Sequence, residues 1–319
     1  MALPAAVPVQ RAGLVDDGGA VSRWADLDGP VHYADFGGPR HAPLAICVHG
    51  LGGSHLNWLA LAPALTPSCR VLAVDLAGHG LTEAAGRSTT VEANARLLAR
   101  FLRQVVDTPA ILVGNSMGGM IAVLAAAADP GAVSGLVLID PALPARPGAH
   151  PGLLPSLGIV GYALPGVGRL LVTASRRWAG PSRSVESILK VSCVDPSRVP
   201  ADVVARLVAL AQQRLSYPGT ESDFIDAFHS TLRMLIAPAR YEAAMRALRQ
   251  PVLLVHGEKD SLVSAKAASR AADRRWTFEV MPDVGHVPQL EAPEQTAAIV
   301  LRWLSGAGSI AAARATHDF

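Results

Sequence analysis

Charged side chains are scarce in this chain: Asp, Glu, Lys and Arg make up 17% of its 319 residues, and the formal balance at pH 7 is only +2. So small an excess gives no electrostatic argument for nucleic acid or an acidic polymer as partner. No basic run interleaved with aromatics appears either. Cysteine is scarcer. Cys47, Cys69 and Cys193 are odd in number, widely spaced and free of any C-x-x-C pair, which argues against a disulfide framework and a zinc site. Cys47, inside an apolar run, reads as a small buried hydrophobe. The histidines form no i, i+4 pair with each other, so no metal is expected. The opening Met1–Pro8 lacks a basic n-region and an uninterrupted apolar h-region, so the expected location is the cytoplasm. From Pro147 to Gly168 no formally charged residue occurs, a length that raises the question of a membrane span. Pro147, Pro151, Pro155 and Pro165 would break such a helix repeatedly, so a greasy lid or substrate-lining segment is expected instead of a stable span.

What is present is core material. Half the residues are hydrophobic, enough for one large α/β domain with an insertion. Residues 1–20 read as a flexible lead-in. Val31–Phe36 alternates as a half-buried strand, whereas Leu44–Val48 is apolar throughout, as a central strand covered on both faces requires. A helix is expected from about 55 to 65, a strand over Arg70–Asp75, and an amphipathic helix over 91–106. A strand then leads to Ser116, a helix runs to about Ala128, and Gly135–Asp140 is a further buried strand. Alternation at this length implies right-handed βαβ units and a mostly parallel sheet. It stops after Pro141. Helical pieces near 183–193, 200–215 and 220–235 follow, and the pattern resumes with strands over 252–255 and 277–280 and helices over 264–273 and 293–305. The expected organisation is a core of 21–141 and 242–306, a helical cap of 142–241, and a flexible tail of 307–319.

The sharpest local signal is Ile111-Leu112-Val113-Gly114-Asn115-Ser116-Met117-Gly118-Gly119-Met120, an apolar strand, a sharp turn and an apolar helix. Ser116 stands at the apex in the G-x-S-x-G pattern of a nucleophile elbow, and the turn aims the Met117 N–H at the space before the serine oxygen. A serine hydroxyl needs a base to take its proton, and the base needs an orienting carboxylate. The resumed half supplies both: Asp260 in the loop after one strand, His286 in the loop after the next. Asp140, which also ends a strand, and Asp283, near His286, compete with Asp260 for the acid role. Glu258 reads as solvated loop, and His49 and His79 as packing histidines. His55, Asn57 and Trp58 read as capping and packing residues; His150, His229, Arg169, Arg176 and Arg177 are substrate-contact candidates at best.

Taken with His49-Gly50-Leu51-Gly52-Gly53, Asp75-Leu76-Ala77-Gly78-His79-Gly80, His256-Gly257-Glu258-Lys259-Asp260 and Gly285-His286, the elbow resembles the α/β-hydrolase superfamily, capped serine hydrolase branch, from about 31 to 305. The resemblance implies a second oxyanion donor at the Leu51 N–H, beside Met117, and a Ser-His-Asp mechanism through an acyl-enzyme. No cofactor is implied, because base, acid and oxyanion donors are all protein groups. The expected substrate is a small, fairly hydrophobic carboxylic ester, lactone or thioester. The elbow also resembles those of hydrolases cleaving carbon–carbon bonds in ring-fission diketones, and some proteins of this fold are small-molecule receptors. Oligomeric state has no signature in the sequence.

Overall fold

The computed structural model describes residues 19–106, 108–144 and 167–315. The lead-in up to residue 18, His150 and most of the charge-free Pro147–Gly168 stretch lie outside them. Eight strands form one sheet: β1 (Val21–Asp26), β2 (Pro30–Gly37), β3 (Leu44–Val48), β4 (Arg70–Val74), β5 (Ala110–Asn115), β6 (Val133–Ile139), β7 (Val252–Gly257) and β8 (Thr277–Met281). Their order is β1-β2-β4-β3-β5-β6-β7-β8, antiparallel from β1 to β4 and parallel from β4 to β8.

The continuous apolar runs are explained by two covered faces. Ile46, Val48 and Leu112 join one buried cluster with Leu98, Phe101, Met120 and Ile121. Their neighbours Ala45, Cys47, Ile111 and Val113 join Trp58, Leu61 and Val300 on the other face. Each fully buried aliphatic side chain there contributes about 1.5–3 kcal/mol. The helices supplying these layers include α1 (Ala62–Leu65), α2 (Val91–Phe101), α3 (Met117–Ala128), α8 (Ala265–Ala271) and α10 (Pro293–Ala315), while the short α9 (Pro288–Glu291) places Leu290 in a separate buried cluster. The helix expected over 55–65 is in fact a 3-10 turn, His55–Trp58, closed by a Ser54–Asn57 capping box, and then the short α1. α10 also runs past the expected end at 305: its backbone is helical to Ala315, consistent with the good helix formers Ala311–Ala313.

Between β6 and β7 lie α4 (Val167–Ser192), α5 (Ala201–Gln213), α6 (Thr220–Ile236) and α7 (Ala239–Ala247). α4 is two helices joined at a kink, Gly180–Pro181, so the piece expected near 183–193 is its second half. The insertion sits on the loops at the C-terminal ends of the strands. Arg214 donates to the Gly78 and Gly80 carbonyls at 2.6 Å each, Thr89 Oγ1 donates to the Asp223 carbonyl at 2.9 Å, and the Val91 N–H donates to Ser230 Oγ at 2.9 Å. Tyr241 and Met245 of α7 belong to the cluster on the sheet, as do Ala227 and Met234 of α6, and the expected boundary at 241/242 falls inside α7. Among the described residues no helix is long and apolar enough to cross a membrane.

The chain winds one way from β3 to β4 and then returns to place β5 on the other side of β3. Loops leaving β3 and β5 therefore diverge and open a crevice at their C-terminal ends, the usual ligand position in open α/β sheets. His49–Gly53 follows β3, and Ser116 follows β5.

Candidate active site

Ser116 has φ 53° and ψ −120°, a conformation costing a non-glycine residue about 1–3 kcal/mol. The surrounding backbone holds it there: its N–H donates to the Ile139 carbonyl and its own carbonyl accepts the Ala142 N–H, each at 3.1 Å. The flanking glycines permit the fold-back. A Cβ on Gly114 would lie 2.6 Å from the Gly118 carbonyl oxygen, and one on Gly118 would overlap the Val48 and His49 carbonyl oxygens. Asn115 ties the turn to a distant loop, its Nδ2 donating to the carbonyls of Ile139 and His286 at 3.1 Å each.

Of the three acids the sequence offers, the structure brings Asp260 to His286: Oδ2 lies 2.7 Å from Nδ1. Asp260 Oδ1 accepts the Leu262 and Val263 N–H groups at 2.7 and 3.0 Å. Burial pushes this carboxyl up, yet His286, the Val263 N–H and His256 outweigh burial and leave it below the ordinary carboxylate value. Asp283 is exposed and pairs with Lys259 at 2.7 Å and Arg198 at 2.5 Å. Asp140 is fully buried behind Asp260 and accepts the Gly257 N–H at 2.9 Å. Glu258 is exposed.

The loop after β3 turns back on itself through a Gly53 N–H bond to the Gly50 carbonyl at 3.1 Å, which leaves Leu51 at the turn's first central position. Met117 opens α3, so its N–H is one of the first-turn amides without an intrahelical acceptor. Gly50 packs against the serine: a Cβ there would lie 3.1 Å from Ser116 Cβ. Over the same turn stands α6, since a Cβ on Gly52 would lie 3.2 Å from Phe224 Cε2.

A model described as the alpha/beta hydrolase family matches residues 45–299. The chain belongs to that family. It is 30% identical over 290 residues to a dihydrolipoyllysine-residue acetyltransferase component of an acetoin cleaving system from Pseudomonas putida, covering 90% of this chain and 67% of that protein. It is 29% identical to a pimeloyl-[acyl-carrier protein] methyl ester esterase from Aromatoleum aromaticum, covering 81% and 96%. Among solved structures it is similar to a membrane phospholipase A, described as a novel bacterial virulence factor, with a TM-score of 0.70 and 26% identity over 91% of this chain and 87% of that one.

In this family member several histidines near the crevice serve the backbone. His49 donates from Nδ1 to the Gly50 carbonyl at 2.7 Å and accepts the Leu76 N–H at Nε2 at 3.1 Å, which fixes its tautomer. Burial pushes it down to about 4, and pushes His79 down to about 3. His55 and His32 turn their Nδ1 atoms to Asp75 Oδ2 at 2.9 and 2.8 Å, and the Leu81 N–H donates to the same oxygen at 2.8 Å. His32, His55 and Asp75, and likewise Asp140, His256 and Asp260, are close enough to hold a cation, with ligand atoms within 4.8 Å. Sequence spacing between histidines does not reveal these groups, because each is completed by carboxylates and draws members from more than one strand end or loop. In the first group the nitrogens a metal would use already face the carboxylate. Asn57 caps and Trp58 is core, as expected.

Sequence reasoning missed Glu291. Its buried carboxylate accepts the Gly285 N–H at 2.8 Å and the Asp195 N–H at 2.9 Å, stapling the His286 loop to the insertion. The His286 N–H also donates to the Ser192 carbonyl at 2.6 Å, at the end of α4. No local pattern points to either contact, since both depend on how the insertion lands.

The buried His79 gives a pH prediction. Below pH 6.5 the unfolded chain protonates this ring while the folded chain resists until about 3, so its contribution opposes folding as pH falls. Asp140 and Asp223, raised by burial, act in the opposite sense and mask the trend in the unmodified protein. The clean measurement is differential. His79→Asn should gain on the unmodified chain by about 1.4 kcal/mol per pH unit between pH 6.5 and 4. A pH-independent difference in urea unfolding would refute it.

Proposed function

We propose that this protein is a serine hydrolase acting on a small, fairly hydrophobic carboxylic ester through Ser116, His286 and Asp260. The observation that carries the reading is the 2.7 Å contact of His286 Nδ1 with Asp260 Oδ2, on loops at the same edge of the sheet as the strained Ser116 turn. With Nδ1–H donated to the carboxylate, Nε2 is the basic nitrogen. It takes the Ser116 proton as Oγ attacks the carbonyl carbon, and the charge on the carbonyl oxygen is met by the Leu51 and Met117 N–H groups. The tetrahedral adduct collapses as His286 returns the proton to the leaving alcohol. Water, activated by the same nitrogen, then releases the acid.

Residues 142–241 act as the cap that selects the substrate in this reading. Phe224 over the Gly52 turn supports an apolar group beside the oxyanion position. The similarity to a methyl ester esterase agrees with ester cleavage, and the similarity to an acetyltransferase component agrees with acyl chemistry in general. The test is a panel of esters, thioesters, lactones and vinylogous diketones on the wild type, Ser116→Ala and Phe224→Ala. Apolar acyl esters should be preferred, and Phe224→Ala should narrow that preference by roughly tenfold, the worth of a lost apolar contact of 1–3 kcal/mol. Preference for short charged acids, or turnover confined to diketones, would overturn the ester reading. Ligand binding without turnover would point to a receptor.

A further inference from the structure

Behind the His286–Asp260 pair lie two further titratable groups that the mechanism above does not use. His256 Nε2 is 2.9 Å from the Val263 carbonyl oxygen, 3.4 Å from Asp140 Oδ1 and 3.5 Å from Asp260 Oδ2. A carbonyl only accepts, so the proton of the neutral ring is on Nε2. That single N–H faces three acceptors. Two of them are carboxylates with almost no access to water. One more proton is needed to avoid two adjacent buried negative charges.

Where that proton sits follows from the partners. His256 cannot take it, because Nδ1 is buried and no acceptor faces it among the described residues. Asp260 is a poor host, since it accepts from His286, Leu262 and Val263, and every one of those donors favours the ionised form. Among the described residues Asp140 has one short donor, the Gly257 N–H, besides the more distant His256 Nε2, and its Oδ2 is buried with no partner. A proton on Asp140 Oδ2 satisfies that oxygen, and Asp260, with a carboxylate oxygen within 4.8 Å of one on Asp140, is the acceptor at hand. The remaining charged neighbour, Glu291, disfavours a second charge as well. Burial first, and the neighbouring Asp260 second, push the Asp140 carboxyl well above the ordinary carboxylate range. The backbone of Asp140 is held at φ 42°, so its place at the end of β6 is enforced against local strain.

We propose that Asp140 is a positioning residue: a neutral carboxylic acid that donates a hydrogen bond to Asp260, so that the pair holds one negative charge and one proton behind His286. This rests on the serine hydrolase reading for its catalytic consequence, but the shared proton itself does not. When Asp260 is made neutral by Asp260→Asn, burial still favours the acid form of Asp140, and its O–H donates to the amide oxygen that replaces the carboxylate.

The test joins two measurements. Infrared spectra of aspartate-labelled protein at pH 8, where Asp223, pushed up to about 6, is ionised, should contain a protonated-carboxyl stretch in the wild type. Asp140→Asn should abolish it by removing the acid, and Asp260→Asn should keep but shift it, because the acceptor of the O–H changes from a carboxylate to an amide. The rate of Ser116 labelling by a fluorophosphonate should then be about tenfold lower in Asp140→Leu, which cannot donate, than in Asp140→Asn, whose Nδ2–H still can, the size expected for losing a hydrogen bond to a charged group. A wild type without the band, a band that survives Asp140→Asn or is unmoved by Asp260→Asn, or equal labelling of Asp140→Leu and Asp140→Asn overturns the proposal. Failure of the wild type to label at all, with the infrared result intact, would instead strike the hydrolase reading.

Discussion

Ser116→Ala should lose on the order of 10⁶ in kcat on an activated ester such as p-nitrophenyl butyrate, the loss a serine protease shows on removal of its nucleophile. The reasoning starts from what the substitution leaves alone. The bonds holding Ser116 in place run through its backbone N–H and carbonyl, to Ile139 and Ala142, so alanine keeps both. His286 stays on Asp260, and Met117 still opens α3. Only Oγ is lost, and with it the covalent route. Residual rate above that in water, about 10³–10⁴-fold, can persist from the oxyanion donors and binding. The variant should therefore unfold within a few degrees of the wild type while failing to react with a fluorophosphonate. Wild-type turnover by Ser116→Ala would refute the nucleophile assignment. Matched losses of activity and stability would mean that the turn had collapsed, and Ser116→Cys, which retains a nucleophilic side chain, would then be labelled with thiol reagents as the decisive check.

The sheet was legible because its central strands are uniformly apolar and their lengths alternate with helix-length segments. Leu44–Val48 is read to the residue. β1 was not, because Val21–Asp26 is an edge strand carrying Arg23 and Asp26 with one face toward solvent, a pattern hard to separate from a lead-in. α7 was missed, although Tyr241 and Met245 are core, because nine residues between a cap and a strand give too few turns for a clear period. At the site, the motifs name Ser116, Asp260 and His286, and chain order with the resemblance prefers Asp260 over Asp140 and Asp283. The contacts that separate the three need the loops in space, where Asp283 turns to Lys259 and Arg198 while Asp140 accepts the Gly257 N–H. The same holds for Glu291, whose partner Asp195 lies in the insertion, and for the contact of His256 with Asp140, which comes from another strand end.

Gly118→Ala tests whether the elbow depends on close backbone approach. Alanine is the better helix former, by about 1 kcal/mol over glycine, so propensity alone predicts stabilisation at this α3 position. Packing predicts the reverse. The new Cβ would overlap the carbonyl oxygens of Val48 and His49, which are backbone atoms at the end of β3 and cannot rotate away. β3 is paired to β5 through Val48 and Gly114, so relief requires the start of α3 to lift off the sheet. Overpacking of this kind costs about 1–3 kcal/mol, which exceeds the propensity gain. The shift also separates the Met117 N–H from the Leu51 turn. A displacement near 1 Å between groups that meet one reacting atom can cost about 10² in rate. The expected outcome is a lower urea midpoint together with a fall in kcat of that order, larger than the stability loss alone explains at low denaturant. Gly131→Ala is the control, because a Cβ there meets nothing closer than 4.0 Å and should leave stability within about 0.5 kcal/mol. If Gly118→Ala matches that control in both midpoint and rate, then the glycine is dispensable, and the proximity of β3, Ser116 and α3 does not hold the oxyanion donors in place.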